Sequence, residues 1–95
     1  MYARVTPYQM KPGSRGAATK KLETLKERIL GMKGMHSFTN VMNDDHAGYI
    51  IALVESRALS EANAETVKSL WGEFAEYLVE PPKAQGYDVI VDWHK

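Results

Sequence analysis

Apolar and polar side chains alternate over the first ten positions, with Ala3, Val5 and Pro7 on one side of an extended chain and Arg4, Thr6, Tyr8 and Met10 on the other. That period of two predicts a strand. Pro7 cannot donate to a ladder, so an edge or an end of the strand lies near it, and Lys11-Pro12-Gly13-Ser14 makes the turn that follows. With Ser14 as N-cap, Ala18, Leu22, Leu25, Ile29 and Met32 recur at steps of four and three. They stack on one face of a helix closed by Gly31 and Gly34. A second strand is predicted from His36 to Asn43, then a turn through Asn43-Asp44-Asp45 and Gly48, and a return strand from Gly48 to Glu55. The return strand is apolar at every position from Tyr49 to Val54, as in a strand covered on both faces. A second helix starts between Ser56 and Ser60, turns Leu59, Ala62, Val67, Leu70, Trp71, Phe74 and Leu78 inward, and stops at Pro81-Pro82. Tyr87 to Trp93 alternates as a final strand.

The order strand, helix, strand, strand, helix, strand predicts an α+β fold of the ferredoxin-like βαββαβ type, a four-stranded antiparallel sheet with both helices on one face. All 95 residues are needed for this single domain, residues 1–95. Nothing remains to cover the other face of a sheet whose return strand is apolar on both sides. A second copy is the economical cover, giving a homodimer packed sheet to sheet into an α/β barrel. One alternate set of the return strand is Ile50, Ala52 and Val54. Whether that set or its complement meets the partner depends on strand phase, which a one-residue shift inverts.

Composition narrows the partners. Twelve Lys and Arg balance twelve Asp and Glu, so no basic field draws nucleic acid or anionic lipid. The chain has no cysteine, which excludes disulfides, thiolate nucleophiles and cysteine-held metals and suits a cytoplasmic setting. The longest apolar run, Tyr49 to Val54, is far below the roughly 20 residues of a bilayer span, and the N-terminus carries no signal-peptide pattern. Residues 1 to 47 hold eight basic and four acidic side chains and residues 48 to 95 hold four and eight. The halves are thus +4 and −4, so the basic first helix should lie beside the acidic second.

Met10-Lys11-Pro12-Gly13 after the first strand, Gly34-Met35-His36-Ser37 opening the second, Tyr49 to Ser56, Trp71 followed by Phe74, and the tail from Pro81-Pro82 to Trp93 together resemble the dimeric α/β-barrel proteins. Within these the chain is similar to the antibiotic-biosynthesis-monooxygenase-like domains, relatives of stress-responsive barrels. The resemblance implies a ligand site between sheet and helices with a helix-borne Trp as one wall, the position of Trp71. It also implies a choice among cofactor-free quinone-forming monooxygenases, haem-degrading enzymes, isomerases, decarboxylases and proteins without an assigned role. The haem-degrading pattern needs an Asn on the first strand and a His near the end of the second helix, and neither is present. The quinone-forming pattern resembles this chain in having Trp71 and Tyr77 on the helix, but Tyr77 is six residues on and rotated off the Trp71 face, and Val67 stands where that pattern often has an Asn.

The candidate catalytic residues are therefore Trp71 as a wall, and His36 and Arg4 to handle a proton or an acidic oxygen. Asn40, Tyr49 and Phe74 are candidates for binding substrate. A cross-strand pair of Arg4 with Asp88 or Asp92 is the competing structural role for the guanidinium. Neither a cofactor nor a metal is expected, since His36, His46 and His94 are ten and forty-eight residues apart, unlike a metal-binding motif. Two functions stay open: cofactor-independent oxidation of a small aromatic compound, and a non-catalytic dimer that binds a small hydrophobic ligand or serves in stress physiology.

Overall fold

The computed structural model describes residues 1–95. Its strands are β1 (Tyr2–Gln9), β2 (Met35–Met42), β3 (Ala47–Val54) and β4 (Gln85–Asp88), in the order β2-β3-β1-β4 and all antiparallel. This is the predicted ferredoxin-like sheet. The helical segments are α1 (Arg15–Thr24), α2 (Lys26–Leu30), α3 (Arg57–Ala62) and α4 (Ala64–Gly72).

Each predicted helix is split in two. The first breaks at Leu25, whose φ of −100° and ψ of 0° tighten the turn so that its N–H bonds the Leu22 carbonyl. The second breaks at Asn63, whose side-chain amide donates to the Lys33 carbonyl at 2.9 Å and anchors α3 to the loop before β2. Ser56 caps α3 by accepting from the Leu59 N–H, whereas Ser14 sits at the N-cap of α1 without a side-chain bond. The second helix ends at Gly72, not Pro81; a single 3-10 turn over Ala75–Tyr77 follows, and buried Leu78 bridges back to Met10. That early stop brings the chain to the end of β1, where Lys11 N–H bonds the Tyr77 carbonyl and Val79 N–H bonds the Gln9 carbonyl.

β4 is earlier and shorter than the predicted Tyr87–Trp93. It pairs only with Tyr2 to Val5, and its register has run to the chain's first residue by the bond from Val89 N–H to the Met1 carbonyl. Ile90, Val91 and Trp93 lie beyond the ladder and are exposed.

Phase is now fixed. Thr6 and Tyr8 on β1, Met10 just after it, and Ile50, Ala52 and Val54 on β3 are buried beneath the helices. The complementary residues Pro7, Val41 and Tyr49 are exposed, and Val5, Ile51 and Leu53 only half-buried, so the Ile50 set is not the one left for a partner. A bulge in β2 between Met35 and Ser37 leaves His36 without a cross-strand partner. The basic and acidic halves meet where Arg28 Nη1 lies 3.2 Å from Glu73 Oε2.

Two buried clusters hold the helices to the sheet, one of Tyr8, Met10, Ala18, Ile50 and Leu78 and one of Leu25, Ile29 and Leu70. Gly48 is what lets the first form: a Cβ there would lie 2.5 Å from the Tyr8 hydroxyl and 2.2 Å from the Val41 carbonyl oxygen. Relief would have to move backbone, so Gly48→Ala is expected to cost about 1–3 kcal/mol in urea denaturation. An unchanged midpoint would show that Tyr8 does not need this space.

Candidate active site

No large side chain is completely enclosed, because a cavity of about 300 Å³ takes the space between the sheet and the helices. β1 contributes Arg4, Thr6 and Tyr8, with Met10 just beyond its end; β2 contributes Phe38, Asn40 and Met42; β3 contributes Ile50, Ala52 and Val54. The helical side supplies chiefly Ala18, Leu22, Ile29, Leu70, Trp71 and Phe74. A more open depression beside α1, α2 and the edge strand β2 shares Thr19, Leu22, Ile29, Phe38 and Asn40 with it.

The best-defined polar feature is Tyr8. Its hydroxyl donates to Asn40 Oδ1 at 2.7 Å, with the Val41 carbonyl 3.2 Å away as a second acceptor. With Oδ1 engaged, the free donor of Asn40, an exposed residue at the cavity's lining, is its Nδ2 amide group. The Tyr8 ring also meets Trp71 at 6.1 Å between centroids and a tilt of 51°, within the usual range for aromatic pairs. Burial pushes the Tyr8 phenol above its ordinary pKa, against the opposing pull of the Asn40 bond and the Arg15 charge. The phenol is therefore neutral near pH 7 and cannot act as a base there.

Arg4 is the second polar feature. Its Nε is buried and has no hydrogen-bond partner. The predicted ion pair with Asp88 or Asp92 does not form. Arg4 stands opposite Gly86 in the β1–β4 register, Asp88 stands opposite Tyr2, and Asp92 lies past the end of the strand. The Tyr2 hydroxyl lies over Gly86 so closely that a Cβ there would overlap it. A phenol thus occupies the place beside Arg4 that a carboxylate would need. An unpaired buried donor costs about 1–3 kcal/mol.

Of the sequence candidates, Arg4, Trp71, Asn40 and Phe74 line one cavity. Two do not. Tyr49 is on the opposite face of the sheet and 52% exposed, because strand alternation sends it away from Gly48 and Ile50. His36 is the unpaired residue of the bulge and is exposed, so it neither lines the cavity nor reaches a proton inside it. Tyr77 packs on Phe74 outside the cavity.

Sequence reasoning passed over Tyr8 as a site residue, although its place on the Arg4 and Thr6 side of β1 was the available signal. It also passed over four methionines, Met10, Met32, Met35 and Met42. Their irregular spacing gives no signal, yet they make an adaptable wall.

An α+β domain with a ligand-sized hollow under its helices is the class of protein these observations define. Among solved structures, the chain has the fold of the antibiotic biosynthesis monooxygenases. A candidate antibiotic biosynthesis monooxygenase from Nitrosomonas europaea is 19% identical with a TM-score of 0.78, over 96% of this chain and 100% of that one. A monooxygenase from the gene ActVA-Orf6 of Streptomyces coelicolor, in complex with nanaomycin D, is 20% identical with a TM-score of 0.76, over 99% and 91%. A mutant of MhuD, with two manganese protoporphyrin IX molecules bound per active site, is 12% identical with a TM-score of 0.78, over 100% of both chains. No protein-family model matches the chain, and no curated protein does.

Because the folded state favours the neutral Tyr8 phenol, its contribution to stability is complete below the ordinary tyrosine pKa. It is lost as pH rises through the raised value. Tyr8→Phe is expected to remove one late-titrating phenol from an alkaline absorbance titration, and an unaltered titration curve would contradict the placement of this hydroxyl.

Proposed function

We propose that the cavity binds a small aromatic compound and that the chain supports its oxidation by O2 without a cofactor. The observation that carries this reading is the cavity itself, about 300 Å³, walled by Trp71, Phe38, Phe74 and Tyr8, with few polar groups among apolar ones. That is the composition of small-molecule sites, at the lower end of their size range. The fold neighbours that hold nanaomycin D and manganese protoporphyrin IX support ligand binding by this architecture.

Haem does not fit the residues present. The walls supply neither imidazole nor thiolate, and His36, His46 and His94 all lie elsewhere.

Oxidation of a phenol to a quinone suits such a site. Phenol plus O2 gives quinone plus water, which balances in atoms and electrons with no outside reductant. The phenolate passes an electron to O2, the radical pair joins at a ring carbon, and loss of water leaves the quinone. What the chain has to supply is a wall that orients the ring and a field that favours the anion. Trp71 is the wall; Arg4 and Arg15, the two charged residues lining the cavity, provide the field. A second reading, binding without turnover, is favoured by one observation: burial raises the Tyr8 phenol, and no carboxylate or imidazole lines the cavity to take a proton.

Oxygen uptake with a panel of phenols decides between the two. Uptake matched by quinone formation, reduced at least about tenfold in Trp71→Ala, supports oxidation. Quenching of Trp71 fluorescence by a phenol without oxygen uptake leaves the binding reading. Neither signal would remove both.

We also propose that two copies pair through the open faces of their sheets, in the cytoplasmic setting that a cysteine-free chain suits. Exposed Pro7, Val41 and Tyr49 with half-buried Val5, Ile51 and Leu53 form an apolar surface, and exposed Ile90, Val91 and Trp93 follow the edge strand β4. Light scattering is expected to give twice the 10.7 kDa chain mass and to return to the single mass in Ile51→Asp. A 10.7 kDa species for the unsubstituted chain at micromolar concentration would overturn the pairing.

A further inference from the structure

We propose that the cavity selects an aromatic carboxylate and that the Arg4 guanidinium is the residue that selects it. The proposal rests on the reading that the cavity holds a small aromatic compound, and adds the charge and the chemical group by which that compound is recognised.

The first support is an imbalance. The chain carries equal numbers of basic and acidic side chains, yet the charged residues lining the cavity are Arg4 and Arg15, with no Asp or Glu among them. An apolar enclosure holding unopposed cations favours an anion over a neutral compound of the same shape.

The second support is geometric. Two other arginines find protein carboxylates, Arg28 with Glu73 and Arg57 with Glu61, while Arg15 finds none. Arg4 lines the cavity and pairs with none, and its Nε is closed in by protein without an acceptor. A guanidinium presents its N–H donors in parallel pairs, each an edge spaced to meet the two oxygens of one carboxylate. A neutral carbonyl or a lone phenolate oxygen can use that edge only once. Arg4 also lies on the helix-facing side of β1, with Thr6 and Tyr8, so a second copy packed on the open sheet face does not supply the missing partner.

The third support is the spacing of polar groups. Arg4 and Tyr8 are four residues apart on one face of β1, roughly 13 Å at the rise of a strand. The free Asn40 Nδ2 donor belongs to the Tyr8 end. Trp71 packs on Tyr8, and Phe38 and Phe74 add further aromatic wall. The complement of this arrangement has a carboxylate at one end, an aromatic body, and an oxygen acceptor at the other end, where the phenol of an oxidisable ring would lie.

A matched pair of probes tests it: 2-naphthoate and the neutral 2-naphthamide, titrated by calorimetry and by Trp71 fluorescence at pH 7 against the unsubstituted protein, Arg4→Gln and Arg4→Lys. In the unsubstituted protein the acid is expected to bind about 10–100-fold more tightly than the amide, the range for hydrogen bonds to a charged group. In Arg4→Gln the ratio should collapse toward one through loss of the acid's affinity. In Arg4→Lys, which keeps the charge and loses the two-donor edge, it should fall to an intermediate value. Equal binding of both probes by the unsubstituted protein, or a ratio that survives in Arg4→Gln, overturns the carboxylate proposal while leaving a ligand site in place. Binding of neither probe overturns the site reading and the proposal with it. Thermal melts identify a variant that fails to fold, in which case the unsubstituted protein's own ratio and the Arg4→Lys ratio decide.

Discussion

One contact sets the geometry of the interior: the Tyr8 ring lying across the bare Cα of Gly48 with its hydroxyl delivered to Asn40. It joins β1, β3 and β2 in a single crossing and presents an aromatic edge to Trp71 on α4. Without it the sheet would still pair, since its ladders are backbone bonds. The helices would lose the ring on which the upper wall rests. The cavity is thus bounded by a chain of contacts rather than by a gap in packing, and its polar equipment follows from the same arrangement. Using Asn40 Oδ1 as the acceptor leaves the amide's donor side for whatever enters.

The charges obey a related logic. On the outside, opposite charges meet, as in the Arg28–Glu73 contact between the basic and acidic halves. Inside, register denies Arg4 its acid, because Gly86 and the overlying Tyr2 phenol hold the position a carboxylate would need. A guanidinium that lines the cavity without a protein carboxylate is the group on which the proposed ligand recognition rests.

Element order was legible in the sequence because each strand and helix carries its own period. The alternation of β1 even separated Arg4, Thr6 and Tyr8 from Pro7 correctly. What periodicity could not decide was which side of β3 meets the helices, since Tyr49 to Val54 is apolar on both; hence Tyr49 was expected in the site and lies outside it. The helix break at Asn63 depends on a bond to Lys33, thirty residues away, and no local signal reports it. The bulge at His36 inverts the alternation of β2, so Met35 and Phe38 share a face although they are three positions apart. The final strand differs in another way: Tyr87 to Trp93 alternates well, but the ladder with β1 runs over Gln85–Asp88, and alternation alone does not report which residues find a partner strand.

A hollow interior with an unpaired arginine carries a thermodynamic consequence. Folding leaves the Arg4 donor unsatisfied, so an apolar residue of similar reach in its place would give a more stable protein and an indiscriminate one. A molecule that meets Arg4 binds the native state alone and raises its melting temperature by mass action. With the proposed ligand, the heat resistance of this chain would be set partly by its surroundings, rising with that compound's concentration and falling when it is exhausted.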